Sequence, residues 1–581
     1  MEISNSNYVS ALKATSLDQA MLTETSRKLS QAGCEKVLMV LGRDKYDPET
    51  ECKGCLNFNG IFSPSPKIAV WSTIDEAAKQ KKKKKAAAPT KKSISQSGYL
   101  LFLILGSFLT TLGMVSLIWK PFDLILRERL RMMKGLPAYD WWQNPPDEVL
   151  LSAYVFNYTN SEEFMNGSAD KLIVQEIGPY IFREKLYHND VVKNNNNTLS
   201  YTALRKAIFL PELNKLNPKM DTIIVPNLVL LGASSYISDA AFITKLGLKM
   251  ITNRAGSKPF SKVTVDEYFW NFTDPVLRLG ISLFPSFMPT DNVGILNQIY
   301  KSFEDRVTVK IGVDNGPREF FKIDKYNGAP GMQVWPNETC DSVQGSSEGV
   351  SYHQDIRKED TIYYLRKTIC RAVPLYYTGD VIVRGVKTYR FELPNTTFAR
   401  PPEGQEECYR DSSYPTLLSG LSDVSPCYYN FPIASSFPHF MYADPKVTEK
   451  LEGLSPNWEK HGSVALIEPN TGVPLTAWAR SQSSLIMHDM SYFPSLKRFS
   501  NVALPMFWLE YKQMGLPPKI YYVLYFMVNV IKPYQVFFSV LMLIVGAFFY
   551  FIGLSRLWRR CLLVNSRAYS TIDIKIKNSP V

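Results

Sequence analysis

The sequence predicts an α+β protein held in a membrane at both ends: two terminal transmembrane helices flank a large external body. Three observations predict it. Two uncharged stretches of 21 residues, Tyr99–Trp119 and Tyr534–Leu554, lie towards the ends of the 581-residue chain. All six N-x-[S/T] acceptor triplets fall between them. The intervening chain mixes short β-branched, alternating runs with one region of helical spacing.

Each stretch of 21 residues measures about 31 Å as a helix, which matches a hydrocarbon core of about 30 Å. Both have aromatic residues at their ends, where amphipathic rings favour the interface. The first follows a long N-terminal segment and has no small-residue cleavage site after a short apolar region, so it reads as an uncleaved anchor. Orientation follows from flanking charge. Eight Lys/Arg lie within twenty residues before the first span and five after it. Arg556, Arg559, Arg560 and Arg567 follow the second span, against Lys519 and Lys532 before it. The positive-inside rule puts both tails in the cytoplasm. The triplets at Asn157, Asn166, Asn196, Asn271, Asn337 and Asn395 agree, because glycosylation is luminal. The expected organisation is a cytoplasmic extension (1–98), span (99–119), ectodomain (120–533), span (534–554) and cytoplasmic tail (555–581).

Net charge is +12, with +6 in residues 1–98 and +5 in residues 555–581. The body is nearly neutral, which excludes a nucleic-acid-binding surface there. The lysine run 81–85 reads as a solvated cytoplasmic flank, or as a segment attracted to anionic lipid. Low aromatic content predicts that most of the extension is disordered. Ile520–Ile531 is apolar but too short to cross, and Lys532-Pro533 is expected to separate it from the second span. It reads as a juxtamembrane segment on the bilayer or against the body.

Within the body, RVTVKIGV (306–313), TIYYLR (361–366), GDVIVRGVKTYRFEL (379–393) and SVALIEP (463–469) read as strands. Asn227 to about Tyr300 reads as a helical insertion. Cys340, Cys370, Cys408 and Cys427 are external, an even number in an oxidising space, and allow three pairings. Cys34, Cys52, Cys55 and Cys561 are cytoplasmic. Cys52 and Cys55 have C-x-x-C spacing, but no second pair completes a zinc site.

No enzyme chemistry is legible, and no catalytic residue, metal ligand or cofactor is assigned. Gly345-Ser-Ser-Glu-Gly349 matches G-x-S-x-G, but its flanks are polar and read as an exposed loop rather than a nucleophile elbow. The five histidines show no H-E-x-x-H spacing, and His461 reads as a structural group. No phosphate loop or G-x-G-x-x-G is present.

Several segments between the spans resemble the class B scavenger receptor family. They are QEIGPYIFRE (175–184), VPNLVLLGASSY (225–236), NGAPGMQVWPNETC (327–340), FPHFMYADPKV (437–447), GLSPNWEKH (453–461), EPNTGVPL (468–475) and LPMFWLE (504–510). They occur in family order, and the resemblance covers roughly Gly98 to Ser566. It implies an antiparallel β-barrel core, an apical helical bundle at about 226–303 and a lipid-conducting tunnel towards the bilayer. It implies the bridges Cys340–Cys408 and Cys370–Cys427. Lys245, Lys249, Arg254, Lys258 and Lys262 fall where the family presents a cationic docking surface; an ordinary solvated helix face is the alternative. Glu510 falls near a tunnel mouth. The long N-terminal extension departs from the family pattern.

In the C-terminal tail, Tyr569 and Ile572 have the Tyr-x-x-apolar spacing that clathrin adaptors read from an extended peptide. Cys561, seven residues past the span, is a palmitoylation candidate. The resemblance implies a receptor and passive carrier for lipids, lipoproteins or lipid-carrier proteins at the plasma membrane or in endosomes and lysosomes, with homo-oligomers compatible. Two rival readings remain at this stage. One is a trafficking receptor for a luminal protein; the other is a two-span ligand-gated channel.

Overall fold

A computed structural model describes residues 97–145, 149–283, 291–301, 304–312, 315–402, 408–409 and 416–577. The extension before residue 97, with its lysine run and Cys52/Cys55 spacing, lies outside the described residues, as does the tail end from 578.

Two long apolar helices are present, Gly98–Trp119 and Pro518–Arg567, and they pack against each other. The reason is legible atom by atom. A Cβ on Gly106 would lie 2.9 Å from the Gly546 carbonyl oxygen, and one on Gly546 2.8 Å from the Thr110 backbone nitrogen. Gly113 faces Leu543 and the Ser539 carbonyl; Gly553 faces Leu103. Small residues seven apart on each helix therefore let the backbones approach closely. Ser116 and Ser539 add a hydroxyl–hydroxyl hydrogen bond of 2.7 Å across the pair.

The second helix begins earlier than its hydropathy predicts. Pro518–Tyr525 is α-helical, Phe526–Ile531 is a π-helical stretch, and the α-helix resumes at Lys532 and runs to Lys577. The expected break at Lys532-Pro533 does not occur. A proline ring crowds the preceding turn and offers no N–H, and the wider π turn just before it absorbs both effects. Tyr521 and Leu524 are buried against Val386 and Leu475, so this segment docks on the body.

Among the described residues the body contains sixteen strands: β1 Val149–Tyr158, β2 Leu172–Lys193, β3 Thr198–Phe209, β4 Thr222–Pro226, β5 Phe260–Thr264, β6 Arg306–Lys310, β7 Ile323–Tyr326, β8 Ile362–Arg366, β9 Arg371–Val383, β10 Val386–Glu392, β11 Ser422–Asp423, β12 Ile433–Ser436, β13 Leu451–Glu452, β14 Val464–Ile467, β15 Pro474–Met487 and β16 Val502–Gln513. Fourteen form one sheet, ordered β7-β6-β3-β2-β1-β16-β15-β14-β10-β9-β8 along its main path. Those neighbours are all antiparallel, with Ala153 opposite Leu509 and Trp478 opposite Lys512 in the centre. The β9–β10 hairpin realises the predicted GDVIVRGVKTYRFEL run.

This ladder is not closed strand to strand, because β7 and β8 do not pair with each other. Instead Gly345–Ser347 lies hydrogen-bonded to both. Ile323 N donates to the Ser346 carbonyl and Gly345 N to that of Ile323, while Ser347 N and Leu365 N bond to Tyr363 and Ser347 carbonyls. Ser346 and Ser347 are accordingly buried. The expectation of an exposed loop here is wrong: the polar flanks hide backbone donors and acceptors that two sheet edges use.

The insertion holds helices Leu228–Tyr236, Phe242–Ala255, Val265–Trp270, Pro275–Leu283 and Ile295–Lys301, plus the small β4–β5 hairpin. Asn227 caps the first, accepting from Val229 N and Leu230 N at 3.1 Å while its amide donates to Asp274 at 2.7 Å. Thr264 and Glu267 form a capping box on the third. Their apolar sides join Phe156, Tyr158, Leu485, Leu504 and Phe507 in the main core.

Candidate functional site

Strand alternation sends every second side chain inward. At one end of the sheet those side chains are large and fill the interior. At the other they include small and charged residues among the apolar ones, and a cavity of about 550 Å³ remains. Its walls include Leu186 from β2, Val373 and Leu375 from β9, Ala465 from β14, Ala477 and Ser481 from β15 and Tyr511 from β16. Leu393 and Phe398 close one side.

Charged groups line the same space. Arg205 of β3 meets Glu184 of β2 at 3.0 Å, and Tyr300 donates to the other Glu184 oxygen at 2.7 Å. Glu348, just after the bridging segment, accepts a hydrogen bond from Tyr201. Burial pushes the Glu348 carboxyl above its ordinary range, although Arg205 opposes this. Lys367 pairs with Asp305 beside a smaller adjoining cavity. Arg366, at the end of β8, is 6 % exposed. Its Nη2 donates to Ser481 Oγ at 3.1 Å, and its guanidinium sits 5.0 Å from the Tyr511 ring centre.

Glu510 does not line the cavity. It pairs with Arg480, opposite it in register, at 2.6 Å. Alternation turns its neighbour Tyr511 to the cavity instead. Arg480 does reach the wall, so Glu510 orients a lining residue rather than being one.

At the insertion, Lys245 and Lys249 lie one turn apart and both sit over the Tyr492 ring, at 5.8 and 5.9 Å. Arg254 ends the same helix, Lys258 lies in the turn after it and Lys262 on β5; all three are exposed. Phe242, Ile243 and Met250 of that helix are also exposed. The basic residues thus divide into a pair on one aromatic ring and three spread along the following surface.

Glu176, His439 and His461 converge with their ligand atoms within 4.8 Å of one another. Hydrogen bonding argues against a metal centre. Ser455 N donates to His439 Nδ1 and Asn457 N to His461 Nδ1, so each neutral ring carries its proton on Nε2. His439 Nε2 donates that proton to Glu176 at 2.5 Å, and Trp508 Nε1 donates to the same oxygen at 2.7 Å. Burial opposes ionisation of Glu176, but these donors outweigh it and hold the carboxyl low. Burial also pushes His461 down to about 4. The cluster ties β2 to the 437–461 segment.

Cys340 is bonded to Cys408 and Cys370 to Cys427. Asn166, Asn196, Asn271 and Asn395 are exposed; Asn157 and Asn337 are half-buried. Asn157 Oδ1 accepts from Ile224 N, and Asn337 Oδ1 caps a short helix at Thr339 and Cys340. Cys561 is exposed with a free thiol. Tyr569 and Ile572 lie on the continuing helix, so the extended form that adaptors read requires that helix end to unwind. Sequence reasoning missed the cavity-lining charges and the glycine contacts. Only the seven-residue spacing of Gly106/Gly113 and Gly546/Gly553 offered a signal.

A family model described as the CD36 family matches residues 100–557. Scavenger receptor class B member 1 from Bos taurus is 29% identical over 410 residues, covering 70% of this chain and 79% of that protein. The same-named protein from Mus musculus is also 29% identical over 410 residues, with equal coverage. Lysosome membrane protein 2 from Homo sapiens is 27% identical over 415 residues, 71% of this chain and 84% of that protein. With that match spanning most of the folded body and both apolar helices, this chain belongs to the CD36 family.

Proposed function

We propose that the chain is a scavenger-receptor-like carrier that binds lipid, lipoprotein or another hydrophobic ligand and passes apolar cargo through its ectodomain to the membrane. The cavity inside the strand ladder carries this reading. Its size falls in the range of small-molecule sites, about 300–1,000 Å³. An apolar chain in water costs about 0.8 kcal/mol per exposed methylene, and a shielded route removes that cost without an energy source. The bridging segment Gly345–Ser347 supports a barrel, since it links the two open sheet edges around the cavity.

In this reading both apolar helices span the bilayer with both tails cytoplasmic. The exposed Phe242, Ile243 and Met250, beside Lys245 and Lys249, form the docking face for cargo or its carrier. The plasma membrane is the site of uptake, and endosomal residence follows if the Tyr569 segment unwinds. A channel fits less well, because glycine contacts bring the two helices into direct backbone contact, bridged by the Ser116–Ser539 hydrogen bond.

The test is lipid uptake by cells expressing the protein at matched surface level. Ala477→Trp fills the cavity and is expected to abolish uptake while docking at the cell surface persists. Uptake unchanged by that variant overturns the internal route.

A further inference from the structure

The two apolar helices are joined differently along their length. Near the ectodomain the Ser116–Ser539 hydrogen bond links them, and further in the glycines carry the contact. At the opposite end two arginines reach across. The Arg556 guanidinium sits 4.4 Å from the Phe102 ring centre, and that of Arg560 5.5 Å from the ring centre of Tyr99. Arg556 Nη1 also stands beside Gly98, 4.0 Å from where a Cβ would be. Both cations belong to one helix at i, i+4 and both rings to the other at i, i+3, so each pair shares one face. A ring face is not a counter-charge. The first apolar helix contains no acidic residue. In Lys532–Lys577 the only one is Asp573, 13 positions past Arg560 and about 20 Å along the axis. Leu554 ends the uncharged stretch, which puts Arg556 and Arg560 about 3 and 9 Å beyond the hydrocarbon edge. They flank a head-group layer about 5–7 Å thick.

We propose that Arg556 and Arg560, held by Phe102 and Tyr99, form a binding site for one anionic phospholipid of the cytoplasmic leaflet, which closes the inner end of the helix pair. This rests on the reading that both helices span the bilayer with cytoplasmic tails, and goes beyond it. A guanidinium lying on a ring keeps its N–H edges for oxygens in its own plane. Arg556 is exposed and Arg560 half-buried, so a head group has access to both. Two such cations one turn apart match a head group with a phosphate and a second negative group, as in phosphatidylserine. The exposed Leu101 and Phe551, further into the spans, offer apolar surface to its chains. Phe102 and Tyr99 are positioning residues. Because the cations come from one helix and the rings from the other, the site exists only while the helices are paired. A lipid bound there therefore stabilises the pairing.

The probes are phosphatidylserine and phosphatidylcholine at equal mole fraction, counted on the full-length protein by native mass spectrometry. The wild type is expected to retain phosphatidylserine about twentyfold over phosphatidylcholine. Arg560→Gln should lower that ratio about fivefold, and Arg556→Gln with Arg560→Gln should bring it near one. Arg559→Gln removes the same charge from the same flank, but Arg559 stacks on no ring among the described residues. It should change the ratio by less than about twofold. Tyr99→Leu with Phe102→Leu keeps every charge, removes both rings and should lower the ratio about threefold. Lipid drawn to the lysine run 81–85 is common to all variants, so their differences read the site. A wild-type ratio near one, equal losses from Arg559→Gln and Arg560→Gln, or a ratio indifferent to both rings overturns the proposal. Cleavage of a C-terminal epitope by protease added outside intact cells sinks the spanning orientation itself, which is a separate outcome.

Discussion

The strands β1, β15 and β16 pass through two unlike interiors. At one end, Phe156, Tyr158, Leu485, Leu504 and Phe507 pack to complete burial against the helical insertion. At the other, the same strands present Val149, Ala477, Ala479, Ser481 and Tyr511 to an open space. The change is visible within β16 alone, where Val502–Leu509 is buried throughout and Glu510–Gln513 is half-buried. The backbone ladder is continuous across both, so side-chain volume and charge decide which end is filled. The covalent links follow the same division. Cys370 and Cys427 belong to the cluster that borders the cavity, and the main core contains no cysteine. Where packing is given up, chain entropy of the unfolded state is restricted instead.

Removing both partners of Cys370–Cys427 should break this comparison most strongly. The bridge separates its cysteines by 57 residues, which predicts a loss of about 4 kcal/mol in the chain-entropy model. Thermal unfolding in detergent checks it; a loss below about 1 kcal/mol means that the hollow end holds itself together. Next come two matched truncations. Phe156→Ala in the filled end should cost about 4 kcal/mol, because it leaves a new void. Phe398→Ala borders an existing one and should cost nearer 2 kcal/mol, the transfer contribution alone. Equal costs would show that both ends are packed alike.

Acid should act on the hollow side. His188 stacks on Trp142 at 4.2 Å, and burial pushes its imidazole down to about 3 from an ordinary 6.5. The folded state keeps this ring neutral while the unfolded chain protonates below 6.5. Stability is therefore full above that pH and falls as pH drops towards the folded value. At pH 5 the loss is about 2 kcal/mol. Comparing melts at pH 7.4 and 5.0, His188→Gln should shrink the difference by that amount; an unaltered difference rules the residue out. The smallest effect is expected at the bridging segment. Ser347→Ala removes a hydroxyl that bonds Ser351 and Gly349, at about 1 kcal/mol. Faster hydrogen exchange at Leu365 would be the sharper readout.

The terminal helices and the helical insertion were readable because hydropathy and periodicity are local properties. The disulfide pairing was available through family resemblance, not from spacing. What stayed hidden depends on distant residues meeting. Arg205, Arg366 and Tyr511 come from three strands, and nothing in their local sequence marks a shared cavity. The resemblance put Glu510 near a tunnel mouth, whereas in the fold it pairs with Arg480 and alternation turns its neighbour Tyr511 to the cavity. Lys532-Pro533 was expected to end a helix, and a π turn let it continue.

The bridging segment also sets where the wall of the cavity is weakest. Neighbours along the main path of the sheet are joined by runs of paired residues, whereas among the described residues Gly345–Ser347 holds β7 and β8 with two backbone bonds each. A sideways opening costs least there, and it would leave the β1–β16 and β15–β16 ladders intact. Local fraying of the cavity wall is therefore expected to begin at this junction, a zip fastener in an otherwise woven sheet.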